Sequence, residues 1–190
     1  MMKKILFFLS IIGLMIITGI SCKKKAAIDM KNPFFSDYNT PFQVPPFEKI
    51  YASHYMPAFE KAMDDSRKEL EAIISNRNEP TFENTIVALD NMGELLRRVS
   101  SVFFAQSSAN TNDTIQKIEV EISPGLSAFQ DEVRLNPDLF KRVKSVYENQ
   151  DQFNLTNEQK FLLENLYKGF IRNGINLDKN DQDTLKMLNA

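Results

Sequence analysis

One stretch sets the terms for the whole chain: residues 80–110, PTFENTIVALDNMGELLRRVSSVFFAQSSAN. Its apolar residues fall at Phe82, Ile86, Leu89, Met92, Leu96, Val99 and Phe103. Steps of three or four line one face of an α-helix. Val87, Leu95, Val102 and Phe104 widen that stripe beyond what a helix resting on a surface needs. Thr81 stands before the first periodic residue, where its hydroxyl can accept an orphan backbone N–H of the first turn. The spacing predicts one long helix, buried on more than one side, that organises other helices around it.

Those other helices are readable in turn. Ser53 is the expected cap of a helix whose inner face is Tyr55, Phe59, Ala62, Met63, Leu70, Ile73 and Ile74, with Pro57 near its first turn. Residues 76–80 break it. After the long helix, residues 111–114 cap a pattern carrying Ile115, Ile118, Ile122, Leu126, Phe129 and Val133, which Pro124 and Gly125 are predicted to kink or interrupt. Asn136 before Pro137 opens a shorter helix with Leu139, Phe140, Val143, Val146 and Tyr147 inward. Thr156 and Gln159 form a capping-box pattern ahead of Phe161, Leu162, Leu166 and Phe170, a helix that frays at Gly174. Asp178 opens a last pattern with Leu185 and Leu188 inward, and no stop signal follows before Ala190. It reads as a helix cut while still running, so truncation is expected. With no strand alternation and no internal repeat, the expected class is all-α: antiparallel helices joined by short loops. Ahead of them, residues 32–47 hold Pro33, Pro41, Pro45 and Pro46 among Phe34, Phe35, Phe42 and Phe47. Proline excludes a helix interior there, so an extended arm with its rings anchored on the body is expected.

The start of the chain is a separate matter. Lys3 and Lys4 precede a nearly unbroken apolar run from position 5 to position 20, and the sole cysteine, Cys22, follows. A basic start and a short apolar stretch read as an export signal over residues 1–21, and the run is marginal for a membrane span. The residues around Cys22 resemble a bacterial lipobox, with Gly19 in place of the usual larger aliphatic residue. On that resemblance Cys22 is the expected lipidation site and mature amino terminus, held at the cell envelope in periplasm or outer membrane. A lone cysteine has no internal disulfide partner. The alternative is an uncleaved anchor with an incidental cysteine. Residues 22–31 read as a polar tether, and residues 32–190 as the folded part.

Composition limits the chemistry. The 190 residues are 43% hydrophobic and 25% charged, enough for one domain with a core. Acids outnumber bases by 25 to 23, and removing a leader with two lysines and no acid makes the balance more acidic. Nucleic acid is therefore not an expected partner. His54 is the single histidine; it is read as a helix-start residue, because no second ligand of matching softness stands nearby. Asp64, Asp65, Glu69 and Glu71 read as a solvated helix face. Ser100, Ser101, Ser107 and Ser108 have no histidine base in any sensible arrangement, so they are read as structural. The six glycines do not cluster, which excludes a phosphate loop.

A series of short blocks carries more. Asn32-Pro33-Phe34-Phe35, Pro45-Pro46-Phe47, Tyr55-x-Pro57-Ala58-Phe59-Glu60 and Thr81-Phe82-x-Asn84-Thr85-Ile86 occur in that order. Leu95-Leu96-x-Arg98-Val99, Val102-Phe103-Phe104, Ala109-x-Thr111-Asn112 and Leu139-Phe140-x-Arg142-Val143 follow. Together they resemble the amino-terminal region of the peptidyl-dipeptidases, zinc peptidases of the thimet-oligopeptidase-like family. The resemblance implies the amino-terminal helical part of a larger zinc peptidase fold that releases dipeptides from the carboxyl ends of oligopeptides. The family's zinc site is a His-Glu-x-x-His helix, which puts two imidazoles on one side of the metal. One histidine cannot build it, so no catalytic and no metal-ligating residue is assigned, and no cofactor is expected in this chain. An oligopeptide is an expected partner only alongside the missing catalytic part; the lipid anchor makes the membrane another. The alternative is a non-enzymatic helical lipoprotein that binds peptides or a partner protein.

Overall fold

A computed structural model describes residues 31–189. The signal segment 1–21, Cys22 and all of the tether but its last residue lie outside the described residues. The described residues are helical and contain no strand, in keeping with the all-α expectation. The helices are α1 (Ala52–Ile74), a π-helical turn (Phe82–Val87) running into α2 (Ala88–Asn91), α3 (Glu94–Ala109), α4 (Asp113–Arg134), α5 (Pro137–Glu148), α6 (Asn157–Arg172) and α7 (Lys179–Asn189).

The expected long helix over 80–110 is broken. Its start is capped as expected, with Thr81 Oγ1 accepting from the Asn84 amide at 3.1 Å while Asn84 Oδ1 accepts from the Thr81 amide at 2.9 Å. It then stops at Met92, whose ψ is 140°, and restarts after Gly93, whose φ is +77°. Only glycine enters that left-handed region without a Cβ penalty. Glu69 Oε2 accepts the Gly93 amide at 2.7 Å and so satisfies a donor that the break sets free.

The organising role passes to α1. Its first half gives Tyr55, Phe59 and Met63 to one buried cluster, with Phe34, Val99, Val102, Phe103, Ile115, Ile118, Ile122 and Phe129. Its second half gives Leu70 and Ile73 to another, with Phe82, Ile86, Leu139, Val143, Val146, Leu163 and Phe170. The cap of α1 is Tyr51, not Ser53: the Tyr51 amide donates to His54 Nδ1 at 3.1 Å. Pro124 does not interrupt α4, which is continuous through it. The acceptor it leaves without a partner belongs to Val120, an exposed position where water can take over.

The arm departs furthest from expectation. It folds as three single 3-10 turns, Pro33–Phe35, Pro41–Gln43 and Phe47–Lys49, and only its first turn is well anchored. Asn32 is buried there, donating from Nδ2 to the His54 carbonyl at 2.8 Å, and Phe34 is fully buried. Arg98 holds the next residues, donating to the Ser36 carbonyl at 3.2 Å with its guanidinium 5.5 Å from the Tyr38 ring centre. Phe42, expected as an anchor, is 99% exposed, and Phe47 is exposed too. Phe42 and Gln43 have φ of 57° and 56°, a left-handed pair that costs a side-chain-bearing residue roughly 1–2 kcal/mol each.

Three other inward assignments are corrected. Phe104 is exposed although its stripe neighbour Phe103 is fully buried. Phe161 is 65% exposed, and Leu163 takes the buried position on α6. Leu188 is 80% exposed, leaving Leu185 half-buried as the inner contact of α7.

Candidate functional site

A cleft of about 450 Å³ opens between α3 and α4. Leu96, Ser100 and Phe104 line it from α3, and Ser123, Leu126 and Phe129 from α4. The break at Gly93 closes one end. There Arg97 donates from Nη1 to the carbonyls of Met92 at 2.6 Å and Asp90 at 3.3 Å, so its guanidinium secures the end of α2. Ser123 Oγ is turned back to the Glu119 carbonyl at 2.6 Å. An apolar floor with a few hydroxyls is suited to holding a side chain, and it has no acid–base pair for chemistry.

Of the residues weighed for catalysis, Ser100 lines this cleft with no base beside it, while His54, Asp65, Glu69 and Ser107 lie apart from it and have other partners. His54 caps α1 through Nδ1, and its ring sits 5.4 Å from that of Tyr51. Asp65 receives Lys61 at 2.5 Å and Lys68 at 2.8 Å. Burial pushes its carboxyl up, but these two ammonium groups outweigh that and hold it below its ordinary value. Glu69 is more than a solvated acid, because its carboxylate completes the Gly93 turn. Ser107 Oγ donates to the Glu119 carboxylate. Among the described residues, no three His, Cys, Asp or Glu side chains gather where they could hold a metal ion. The zinc implied by the resemblance therefore finds no fitting donor set here.

One buried group went unassigned in the sequence. Arg142 is buried on α5, where Nη1 donates to the carbonyls of Asn76 at 2.8 Å and Asn78 at 3.3 Å, and Nη2 to Asn84 Oδ1 at 3.0 Å. Desolvation lowers its affinity for the proton, with Glu79 partly offsetting this. Its work is structural: it ties the loop after α1 and the π-helical turn to α5. Burial also pushes the Tyr38 and Tyr55 phenols up. Among the described residues, no helix is long and apolar enough to cross a membrane.

No family model matches the chain. Individual relatives do. It is 39% identical over 159 residues to a dipeptidyl carboxypeptidase of Escherichia coli strain K12, covering 84% of this chain and 23% of that protein. An oligopeptidase A of the same organism is 28% identical over 153 residues, covering 80% of this chain and 22% of that protein. A thimet-like oligopeptidase of Dictyostelium discoideum is 26% identical over 136 residues, covering 70% and 20%. The chain spans less than a quarter of the length of these relatives.

Proposed function

Since the chain matches the amino-terminal portion of the dipeptidyl carboxypeptidase family, we propose that it is the helical amino-terminal part of an exported zinc metallopeptidase. In this reading it is held at the cell envelope by lipid on Cys22 and is inactive alone. The identity to dipeptidyl carboxypeptidases, at 37–39% over 84% of the chain, supports the peptidase-family part of the proposal. Export and the lipid rest on the basic start, the apolar run and Cys22 in the sequence. The residue inventory limits it: with His54 as the single histidine, a His-Glu-x-x-His site must come from outside these residues. Exposed Phe42, Phe47, Phe104 and Phe161 give such a catalytic part apolar surface to pack on. A second reading, a helical lipoprotein that binds peptides without cleaving them, draws on the cleft between α3 and α4.

Elemental analysis and a dipeptide-release assay on the purified chain test the first reading. The expected result is no stoichiometric zinc and no cleavage; one tightly held zinc per chain, or zinc-dependent release of dipeptides, overturns the inactivity. Translating the adjacent DNA in all frames separates the two readings, since a downstream His-Glu-x-x-His supports a peptidase and an independent gene start supports the binder. For the anchor, Cys22→Ser is expected to abolish membrane retention and the lipid mass at that terminus. Retention and mass both unchanged would remove Cys22 from the account.

A further inference from the structure

Where α4, α6 and α7 meet, a polar pocket of about 200 Å³ opens to solvent. Arg134 and Arg172, in the last turns of α4 and α6, both line it, with Gln130, Asp131, Asn173 and Asn189. Other arginines are engaged with neighbours: Arg67 with Glu132, Arg98 with Glu94, and Arg97 and Arg142 with backbone carbonyls. Arg77 is free as well and, like Arg134 and Arg172, exposed, but it lies on the loop after α1 and lines no part of this pocket. Among the described residues, Arg134 and Arg172 have no ion pair, hydrogen bond or ring contact, and they share one pocket. The negative ends of two helix dipoles make their charges tolerable side by side, but those ends leave the guanidinium donors unused.

The acid in the same wall is partly occupied. Asp131 is buried, and its Oδ1 accepts from Asn189 Nδ2 at 2.9 Å. Two guanidinium groups against one carboxylate leave the pocket with a net positive charge in a chain whose formal net charge is −2. Each guanidinium offers a planar fork of donors that matches two oxygens of a phosphate or carboxylate. We propose that this pocket is a binding site for a small oxyanion, phosphate or carboxylate, held between Arg134 and Arg172. The site requires neither the peptidase reading nor the lipid anchor.

The test is isothermal titration of the full chain, in non-ionic detergent, with sodium phosphate and separately with sodium succinate. Sodium chloride of matched ionic strength is the blank. Saturable one-site binding of at least one of the two is expected, and whichever binds identifies the source of the oxyanion. Loss of one charge-assisted contact predicts binding roughly tenfold weaker in Arg134→Gln and in Arg172→Gln. Asp131→Asn keeps the oxygen that accepts from Asn189 and removes the charge, so it is expected to bind more tightly. Lys160→Gln, on the exposed side of α6, is expected to change nothing. No saturable binding of either ion overturns the proposal. So does unchanged binding in both arginine variants, or an equal loss in Lys160→Gln, which would mark diffuse charge screening. Far-ultraviolet circular dichroism of each variant shows that it is folded before it is counted.

Discussion

The two halves of α1 face cores made of different materials. The first is aromatic at its centre: Phe103 meets Tyr55 at 4.9 Å and Phe59 at 5.4 Å, both edge to face, and Phe34 from the arm closes on Tyr55 at 5.5 Å. The second is aliphatic at its centre, with Ile86, Leu139, Val143, Val146 and Leu163 all fully buried. It holds buried rings as well, Phe82 and Phe170, and Tyr147 stacks on Tyr167 at 4.1 Å at its margin, but the edge-to-face cluster belongs to the first core. It also has a buried charged fastener, Arg142, where the arm beside the first core is tied by the half-buried Arg98. Large rings gain from a few specific contacts and concentrate stability in single residues. Small branched side chains distribute it, and register then has to be fixed by polar contacts such as those of Arg142.

That contrast can be broken from either side. The largest effect is expected for Phe103→Ala, which removes the ring that joins two edge-to-face pairs, at about 3–5 kcal/mol by chemical denaturation. Leu163→Ala in the second core is expected to cost less, toward the lower part of about 2–5 kcal/mol. The reverse order would show that the aromatic centre is not where stability is concentrated. Arg142→Met next removes the fastener and leaves the Asn76 and Asn78 carbonyls short of donors. A loss of about 1–3 kcal/mol is expected, and a neutral or stabilised variant would mean the polar contacts fix register only.

Gly93→Ala probes the seam between the two cores. It places a Cβ in the left-handed region and 3.3 Å from Ser66 Oγ, for an expected loss of about 1–2 kcal/mol. The smallest effect is expected for Asp65→Asn on the outer face of α1. The folded carboxyl is held below its ordinary value of 3.8, so it binds protons less readily than in the unfolded chain. Its contribution is therefore complete above that value and is lost as pH falls below it. At neutral pH the variant should lose less than about 1 kcal/mol, and wild type and variant should converge on acid titration. A gap that persists in acid would assign the loss to packing.

What the sequence made legible follows the range of the interactions. Thr81, Asn112, Asn136 and Thr156 all cap helices as expected, each through a side-chain oxygen that reaches an amide two or three residues on. Such contacts are complete within a few residues, so the string of letters contains both partners. The break at Met92 was hidden because Leu89, Met92 and Leu96 keep helical spacing across it, and a break that preserves phase leaves periodicity intact. Glu69, the partner that completes the turn, is 24 residues away. Phe161, Leu162 and Leu163 are consecutive apolar residues, which leaves the buried face undecided until Leu139 and Val143 are placed against it. For Phe42 and Phe47 only hydrophobicity points inward, and hydrophobic residues are not confined to interiors. The pocket with Arg134 and Arg172 joins residues 38 positions apart by number, with no shared motif to announce it. The absence of a zinc helix, by contrast, needed only a count of histidines.

The sharing of α1 has a consequence for how the molecule comes apart. Met63 belongs to one core and Leu70 to the other, two turns of a single uninterrupted helix. Neither core can open by releasing its half of α1 without fraying the backbone hydrogen bonds that run on into the other half. Sub-global openings, which let separate units exchange amide hydrogens independently, are suppressed at that junction. The amides between positions 63 and 70 should be among the last to exchange with deuterium, whereas α7, which contributes no buried residue, should exchange early.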